Sequence, residues 1–208
     1  MTASIRILAV DDHHLIRAGV ASFLATEPGL KLVAEAANGE EALEQYRQVR
    51  PDVVLMDLSM PVMDGLEATR AILEEFPDAR IIVLTTYVGD EDIHRALDAG
   101  AMGYLVKDMM VAEILSAIRR VMSGQRGIPP AVAAKLAEHT PRITLTPRET
   151  EVISLMSTGL TNAEIAGRIG RTEETVKVHV KNILQKLHAQ DRTAAVSIAV
   201  RRGFIRLE

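Results

Sequence analysis

The first half of the sequence alternates short apolar runs with amphipathic stretches, and this alternation limits the possible fold more than any other feature. The apolar runs are IRILAV (5–10), KLVAEA (31–36), VVLM (53–56), RIIVLT (80–85) and GYLVK (103–107). Helical patterns follow them near residues 14–26, 39–49, 64–75, 90–99 and 111–123. Such alternation predicts an α/β fold, a five-stranded parallel sheet with helices on both faces. We assign this domain to residues 1–123.

The pattern changes after the fifth helix. SGQRGIPP is rich in turn residues and AVAAKLAEH has the pattern of one short helix, so we predict a linker with a helix at residues 124–143. Every later segment is helical. Thr146 and Thr161 each begin a capping-box pattern, and Gly170 stands where a helix should end. We therefore predict a small all-α domain at residues 144–208.

The composition excludes several classes of protein. The chain has 208 residues and no cysteine, so it has neither disulfides nor thiolate metal sites. The first strand pattern begins at Ile5, which leaves no room for a signal peptide, and no apolar run reaches the roughly 18 residues that span a bilayer. The nucleotide-binding patterns GxGxxG and GxxxxGK are absent. We expect a cytoplasmic protein with no membrane partner.

The net charge of −4 hides an asymmetry between the two halves. Residues 1–124 hold 11 basic and 20 acidic side chains, whereas residues 125–208 hold 13 basic and 8 acidic ones. An acidic front half and a basic back half suggest two domains with different partners. The alternative is that two solvated surfaces simply differ in charge.

Polar side chains stand at the carboxyl ends of the predicted strands. Asp11 and Asp12 follow the first strand, and Asp57, Thr85 and Lys107 end the third, fourth and fifth. Open α/β sheets build their sites at this edge, and with strand order 2-1-3-4-5 the first and third strands flank the point where ligands bind. The three aspartates would then converge. The alternative is that each merely caps the next helix.

The chemistry of these side chains points to phosphoryl transfer. Three neighbouring carboxylates repel one another, and a hard divalent cation such as Mg²⁺ offsets that repulsion. Asp57 can then attack phosphorus as a nucleophile, with Lys107 neutralising the phosphoryl oxygens and the Thr85 hydroxyl donating to one of them. The adjacent His13 and His14 are read as residues of a loop and a helix start, with metal ligation as the alternative.

Four segments, VDDHHLIRAG, VVLMDLSMPVMDG, VLTTY and GAMGYLVKD, resemble the receiver domain of two-component response regulators, over roughly residues 3–122. The resemblance implies a doubly wound, flavodoxin-like five-stranded sheet of order 2-1-3-4-5 and phosphorylation by a sensor histidine kinase. It also implies roles for particular residues: Asp57 as phosphoacceptor, Asp12 as direct and Asp11 as water-mediated Mg²⁺ ligand, the Ser59 carbonyl as backbone ligand, Thr85 and Tyr104 as switch pair, and Lys107 as phosphate-binding lysine.

The segment TEETVKVHVKNILQKLH predicts an amphipathic helix. Its core stripe consists of Val176, Val180, Ile183, Leu184 and Leu187, and its opposite face carries Val178, Lys181, Asn182 and Gln185 with Lys177 at the flank. Two short helices joined at Gly170 suggest a helix-turn-helix. Val178 could contact thymine methyl groups, while the lysines contact guanine edges or phosphates. An ordinary amphipathic helix with solvated lysines is the alternative.

Residues at the starts of these helices are candidate phosphate anchors, namely Thr161, Asn162 and Thr172.

The segments LTPRETEVISLMSTGLTNAEIAGRIG, TVKVHVKNILQKL and RTAAV resemble the LuxR-type DNA-binding domain of NarL/FixJ-class regulators, over residues 144–205. This resemblance implies base contacts by Lys177, Val178 and Lys181. It further implies a homodimer on activation that binds inverted half-sites of double-stranded DNA, with RNA polymerase as a further candidate partner.

The two halves together suggest a transcription factor that is switched by phosphorylation, through either dimerisation or release of the DNA-binding domain. Its only expected catalysis is self-catalysed phosphoryl acceptance and hydrolysis at Asp57. One alternative is a Mg²⁺-dependent phosphatase, although such enzymes commonly carry a second Asp where this chain has Ser59. The other is a DNA-binding protein whose first domain is only a dimerisation scaffold.

Overall fold

A computed structural model describes residues 4–86, 89–108, 111–138 and 144–206. Its strands are β1 (Ile5–Val10), β2 (Leu30–Ala36), β3 (Val53–Met56), β4 (Ile81–Thr85) and β5 (Gly103–Val106). The first five helices are α1 (His14–Thr26), α2 (Gly39–Val49), α3 (Gly65–Glu75), α4 (Asp90–Asp98) and α5 (Val111–Met122). They are followed by α6 (Pro130–Glu138), α7 (Pro147–Ser157), α8 (Asn162–Ile169), α9 (Glu173–Lys186) and α10 (Arg192–Arg202).

The five strands form one parallel sheet in the order β2-β1-β3-β4-β5, which confirms the predicted fold. Apolar clusters lie on both faces of the sheet. One packs around Ile7, Leu55 and Ile118, and the other around Leu8, Met56 and Ile72. Because β3 is buried on both faces, all four of its residues are apolar.

Local hydrogen bonds explain where the helices begin. The Asn38 side chain accepts from the Glu41 N–H at the start of α2, and Asp64 with Glu67 forms a capping box at the start of α3. Thr146 and Thr161 form the two capping boxes predicted for α7 and α8. These side chains satisfy N–H groups that have no partner within the helix.

Helix α9 is shorter than its sequence pattern suggested, which ran from Thr172 to His188. Thr172 is the N-cap and has extended backbone, while His188 has a φ of +50° and cannot continue the helix. Gly170 ends α8 in the left-handed conformation, at a φ of +63°. Since α8 ends at Ile169 and α9 begins at Glu173, the turn between them consists of residues 170–172.

The described residues group into two compact units. The first contains residues 4–86 and 93–134, and the second contains residues 89–92 and 135–206. Part of the predicted linker belongs to the first unit, because Gly127 forms a parallel bridge with Gly103 at the edge of β5. No helix among the described residues is long and apolar enough to cross a membrane.

Candidate functional sites

The sheet register brings the polar strand ends of the first unit to one edge. Val10 of β1 lies opposite Met56 of β3, and the Asp57 N–H donates to the Val10 carbonyl at 2.9 Å. On the other side of β3, the Lys107 N–H donates to the Thr85 carbonyl at 2.8 Å. The residues that follow these strands therefore leave the sheet together.

Lys107 joins two of the aspartates at this edge. Its ammonium lies 2.6 Å from Asp11 Oδ2 and 3.1 Å from Asp57 Oδ2. The side chains are 10%, 6% and 4% exposed respectively, so all three charges are almost withdrawn from water. Buried charges in this number persist only when they are paired, and the shared ammonium supplies that pairing.

The surroundings shift the pKa values of these groups. Burial raises the pKa of Asp57 above its ordinary value, and the charge and hydrogen bond of Lys107 offset only part of that rise. Burial alone would lower the pKa of Lys107, but its hydrogen bond to Asp11 and the charge of Asp57 raise it. The ammonium is thus held in its charged form beside the nucleophile.

Asp12 faces a different neighbour. His13 Nδ1 lies 2.8 Å from Asp12 Oδ1 and 3.3 Å from Asp11 Oδ1, and single ligand atoms from these three residues lie within 4.8 Å of one another. Two carboxylates at this separation fit a hard divalent cation, which takes oxygen ligands. Mg²⁺ prefers oxygen ligands to an imidazole nitrogen. We therefore interpret His13 as a residue beside the cation site and not as one of its ligands.

The loop after β3 is tightly constrained around Asp57. Its Leu58 N–H donates to Asp57 Oδ1 at 2.8 Å, which fixes the carboxylate. The Gly65 N–H donates to the Leu58 carbonyl, and a Cβ at Gly65 would lie 1.9 Å from the Asp57 carbonyl oxygen. Glycine is therefore required there. Ser59, whose carbonyl is a predicted ligand, is half-buried in this loop.

The same loop contains a strained residue that the sequence did not reveal. Met63 N–H donates to the Pro61 carbonyl at 2.8 Å, and Val62 between them has a φ of +71°. This is a γ-turn of the rare, strained kind. A β-branched residue with positive φ is disfavoured, so the hydrogen bonds around the loop must hold Val62 in place.

The predicted switch residues lie inside the first unit. Thr85, the last residue of β4, and Tyr104 of β5 are both fully buried. Their strands are paired, with Val83 opposite Tyr104 and Thr85 opposite Val106. A change around Thr85 could therefore pass to β5 through the sheet.

In the second unit, α9 has the two faces that its sequence predicted. Val176, Ile183 and Leu187 are buried in the core with residues of α7, α8 and α10. Val178, the apolar residue predicted to contact DNA, is 53% exposed. Other exposed candidates for DNA contact are Lys177, Lys181, Asn182 and Gln185. The helix thus presents one apolar side chain among polar ones.

Several candidate DNA contacts already have partners in the free protein. Lys177 Nζ lies 3.2 Å from Glu173 Oε1 and 3.5 Å from Glu174 Oε2, on the same helix. The Thr161 hydroxyl donates to Glu164, and the Thr172 hydroxyl shares a hydrogen bond with that of Thr175. A phosphate would have to compete with these local bonds.

Two further side chains hold the helix-turn-helix together. Glu149 of α7 is buried and accepts from Lys186 Nζ at 2.7 Å, near the end of α9. The Arg192 guanidinium donates to the carbonyls of Leu160 and Met156 and contacts Asn162 Oδ1 at 3.4 Å. With its oxygen so oriented, the Asn162 side chain can offer its NH₂ group to a phosphate.

Sequence reasoning missed three polar residues that support these sites, namely Arg17, Glu149 and Arg192. Each forms a hydrogen bond with a residue far along the chain or with a main-chain carbonyl. The capping-box pattern that begins at Thr146 predicts only one of the two partners of Glu149. Its second partner, Lys186, lies 37 residues away and gave no signal in the sequence.

Comparison with known proteins agrees with both units. Residues 7–119 match the family described as response regulator receiver domain, and residues 143–199 match that described as bacterial regulatory proteins, luxR family. The response regulator protein VraR of Staphylococcus aureus is 39% identical over an alignment of 207 positions, which covers 97% of this chain and 99% of VraR.

Solved structures show the same architecture. A LuxR-family two-component response regulator from Aurantimonas sp. SI85-9A1 is 39% identical, with a TM-score of 0.63 over 65% of this chain and 97% of its own. RcsB from Salmonella enterica serovar Typhimurium, bound to a promoter in the presence of phosphomimetic BeF3⁻, has a TM-score of 0.72 over 94% of this chain and 97% of its own; at 24% identity it supports the fold alone. The chain therefore belongs to the two-component response regulators with a LuxR-type DNA-binding domain, and it is a DNA-binding response regulator.

Proposed function

We propose that Asp57 accepts a phosphoryl group from a sensor histidine kinase, with Mg²⁺ bound beside it, and that this modification changes how the second unit dimerises and binds DNA. The observation that carries the proposal is the position of Asp57. Its carboxylate is buried at the end of β3, 3.1 Å from the Lys107 ammonium, which also contacts Asp11.

In the transfer step, an oxygen of the Asp57 carboxylate attacks the phosphorus of a phosphohistidine. The new O–P bond forms as the P–N bond breaks, and the imidazole leaves and takes a proton from solvent. The Leu58 N–H keeps the carboxylate in one orientation during attack. The Lys107 ammonium remains near enough to neutralise charge on the phosphoryl oxygens.

The residues that would hold Mg²⁺ are Asp11, Asp12, Asp57 and the carbonyl of Ser59. When bound, the ion supplies positive charge that offsets the repulsion between the carboxylates and the phosphoryl group. The pairing of Asp11 with Lys107 supports a water-mediated role for Asp11, because one of its oxygens is already taken by the ammonium.

Phosphorylation then biases a two-state equilibrium through Thr85 and Tyr104. Thr85 moves towards the phosphoryl group, and its hydroxyl donates to it. The Tyr104 side chain on the neighbouring strand then rotates inward behind Thr85. The outcome is a homodimer on inverted half-sites of DNA, and contact with RNA polymerase would follow on the promoter. The cytoplasmic location expected from the sequence remains a prediction.

In the proposed DNA complex, α9 enters the major groove. Val178 contacts a thymine methyl, while Lys177 and Lys181 contact guanine edges or phosphates. Asn182 and Gln185 border this surface, and Thr161, Asn162 and Thr172 face the backbone phosphates. The exposure of Val178 supports this placement, because an apolar side chain gains nothing from water.

Intact-mass measurement after incubation with acetyl phosphate and Mg²⁺ tests the phosphoacceptor. The wild type should gain one phosphoryl group, and Asp57→Asn should gain none. The matched control is Asp78→Asn, because Asp78 is an exposed acid in the loop between α3 and β4 and should leave the gain unchanged. A wild type that gains no mass, or an Asp57→Asn variant that gains as much, contradicts the proposal. Turnover of a small phosphate ester that depends on Asp57 would favour the phosphatase alternative.

A further inference from the structure

Arg17 of α1 is a largely buried cation beside the acidic edge, and the carboxylate that it contacts, Glu35, lies outside that edge. The Arg17 side chain is only 15% exposed. The Nη1 group donates to the main-chain carbonyl of Asp11 at 2.6 Å, and the Nε group donates to the Glu35 carboxylate at 3.2 Å. The guanidinium therefore joins α1, the end of β1 and the end of β2.

The Asp11 carbonyl lies where the sheet stops supplying partners. The Asp11 N–H still donates to the Ala36 carbonyl, the last residue of β2. β2 ends at Ala36, so the strand offers no further N–H to the Asp11 carbonyl. Arg17 provides the hydrogen bond of the Asp11 carbonyl in place of the ladder, and Glu35 orients the guanidinium for it.

Fixing this carbonyl also fixes Asp12. The carbonyl of Asp11 and the N–H of Asp12 belong to one planar peptide unit, so the direction of the first sets the direction of the second. Asp11 is then held on both sides, by Ala36 through its N–H and by Arg17 through its carbonyl. These two bonds thereby fix the peptide plane from which the Asp12 residue continues.

We propose that Arg17 is a positioning residue for divalent-cation binding, acting through the Asp11–Asp12 peptide unit, and that Glu35 holds the Arg17 guanidinium in place. This inference rests on the proposed cation site. Outer partners of metal ligands commonly change metal affinity by about 10–100-fold when they are removed. A positioning role for Arg17 belongs to this class of effect.

Electrostatics and positioning predict changes of opposite sign. Arg17 carries a positive charge close to a cation site, so by charge alone its removal should tighten Mg²⁺ binding. If its role is positional, removal should weaken binding. The two variants Arg17→Gln, which removes the charge, and Arg17→Lys, which keeps the charge but not the guanidinium fork, separate these effects.

The experiment titrates the full chain with MgCl₂ and follows amide chemical shifts by NMR. We expect both variants to weaken Mg²⁺ binding by about tenfold, and Glu35→Gln to weaken it less. In phosphorylation by acetyl phosphate, excess Mg²⁺ should restore the rate, because only the affinity is impaired. Arg47→Lys is the matched control: its guanidinium pairs with Glu75 on the surface between α2 and α3, so Mg²⁺ affinity should not change.

Three results overturn the inference. They are tighter binding in Arg17→Gln, unchanged affinity in both Arg17 variants, and a rate defect that excess Mg²⁺ does not restore. Unfolding measured without Mg²⁺ confirms that each variant is folded before titration. If Asp12→Asn also binds Mg²⁺ as tightly as the wild type, the proposed cation site itself fails. If Asp12→Asn loses affinity and the Arg17 variants do not, only the role of Arg17 fails.

Discussion

The two candidate sites of this protein handle charge in opposite ways. In the first, the side chains of Asp11, Asp57 and Lys107 are almost completely buried, and both carboxylates lie within hydrogen-bond distance of the Lys107 ammonium. In the second, Lys177 and its partner Glu173 are each about half exposed and pair across one helical turn. The fold holds the charges around Lys107 in place, whereas the exposed pair on α9 is hydrated and screened by salt.

The difference follows from the proposed ligands. A phosphoryl group and a cation are small and highly charged, and they are bound best by groups already held in place at low solvent exposure. DNA is long and uniformly charged, so its attraction is carried by solvated lysines whose effect depends on salt. Changes in the first unit should therefore act through geometry, and changes on α9 through binding strength.

The largest effect is expected at Gly65. Gly65→Ala places a Cβ against the Asp57 carbonyl and should destabilise the first unit by about 2–3 kcal/mol, because the main chain cannot move aside without shifting the phosphoacceptor. The second unit offers the contrasting control Gly167→Ala, where no atom lies within 4 Å of the added Cβ and the helix should gain roughly 0.5–1 kcal/mol. Amide hydrogen exchange measures the stability of each unit separately. Equal effects of the two changes would show that the loop is not constrained as described.

A somewhat smaller effect is expected on DNA binding. Lys181→Ala should weaken binding to a selected operator by about 1–3 kcal/mol if Lys181 contacts a base edge, without changing phosphorylation of Asp57. Titration of labelled DNA at several salt concentrations measures the loss and the salt slope together. Lys31→Ala, an exposed lysine on β2, is the control and should leave both unchanged. Unchanged binding in Lys181→Ala removes that residue from the contact surface.

A pH-dependent effect is expected at the ion pair between the buried Glu149 and the partly exposed Lys186, which supports the end of α9. Burial alone would raise the pKa of Glu149, but hydrogen bonds from Lys186 and Thr146 lower it below its ordinary value of 4.5. A lowered pKa in the folded state means that the carboxylate stabilises the fold above pH 4.5. That contribution is lost as the pH falls through the folded-state value.

Glu149→Gln should therefore destabilise the second unit by about 1–2 kcal/mol at neutral pH, since it leaves Lys186 without its charged partner. The difference from the wild type should shrink as the pH falls below 4.5. Urea unfolding of both proteins over a pH series measures it. A difference that is constant with pH would mean that the carboxylate charge is not what stabilises the helix.

The smallest effect is expected at the exposed pair on α9. Glu173→Gln should leave the unfolding midpoint unchanged within error, because an exposed pair contributes little. DNA binding should strengthen by about twofold, since Lys177 is released and a carboxylate no longer faces phosphate. Weaker binding in this variant would indicate that Glu173 itself contacts a base.

Local patterns predicted most of the fold. β1 and β3 begin and end where the apolar runs do, and the capping boxes at Thr146 and Thr161 start the helices as expected. These features depend on residues within a few positions of one another, where periodicity and capping are readable. The Thr161 hydroxyl shows a limit of such local patterns, because they assign it both a capping role and a phosphate-binding role.

Contacts between segments that are distant in the sequence cannot be predicted from local patterns. Lys107 was expected to neutralise a phosphoryl group, but its placement between Asp11 and Asp57 depends on how β1, β3 and β5 are ordered in the sheet. The approach of Arg17 to Glu35 depends on how α1 packs on β2. The positive φ of Val62 depends on the hydrogen bonds that close its loop.

By itself, the sequence determined the strands, the helices and the polar residues at the strand ends, because each is set by local periodicity and capping. Only the tertiary structure decided which charges meet, since that depends on sheet register and helix packing over tens of residues. Lys186 meets Glu149 and Arg17 meets the Asp11 carbonyl for this reason. Burial then makes such contacts necessary, because a charge withdrawn from water must find a partner.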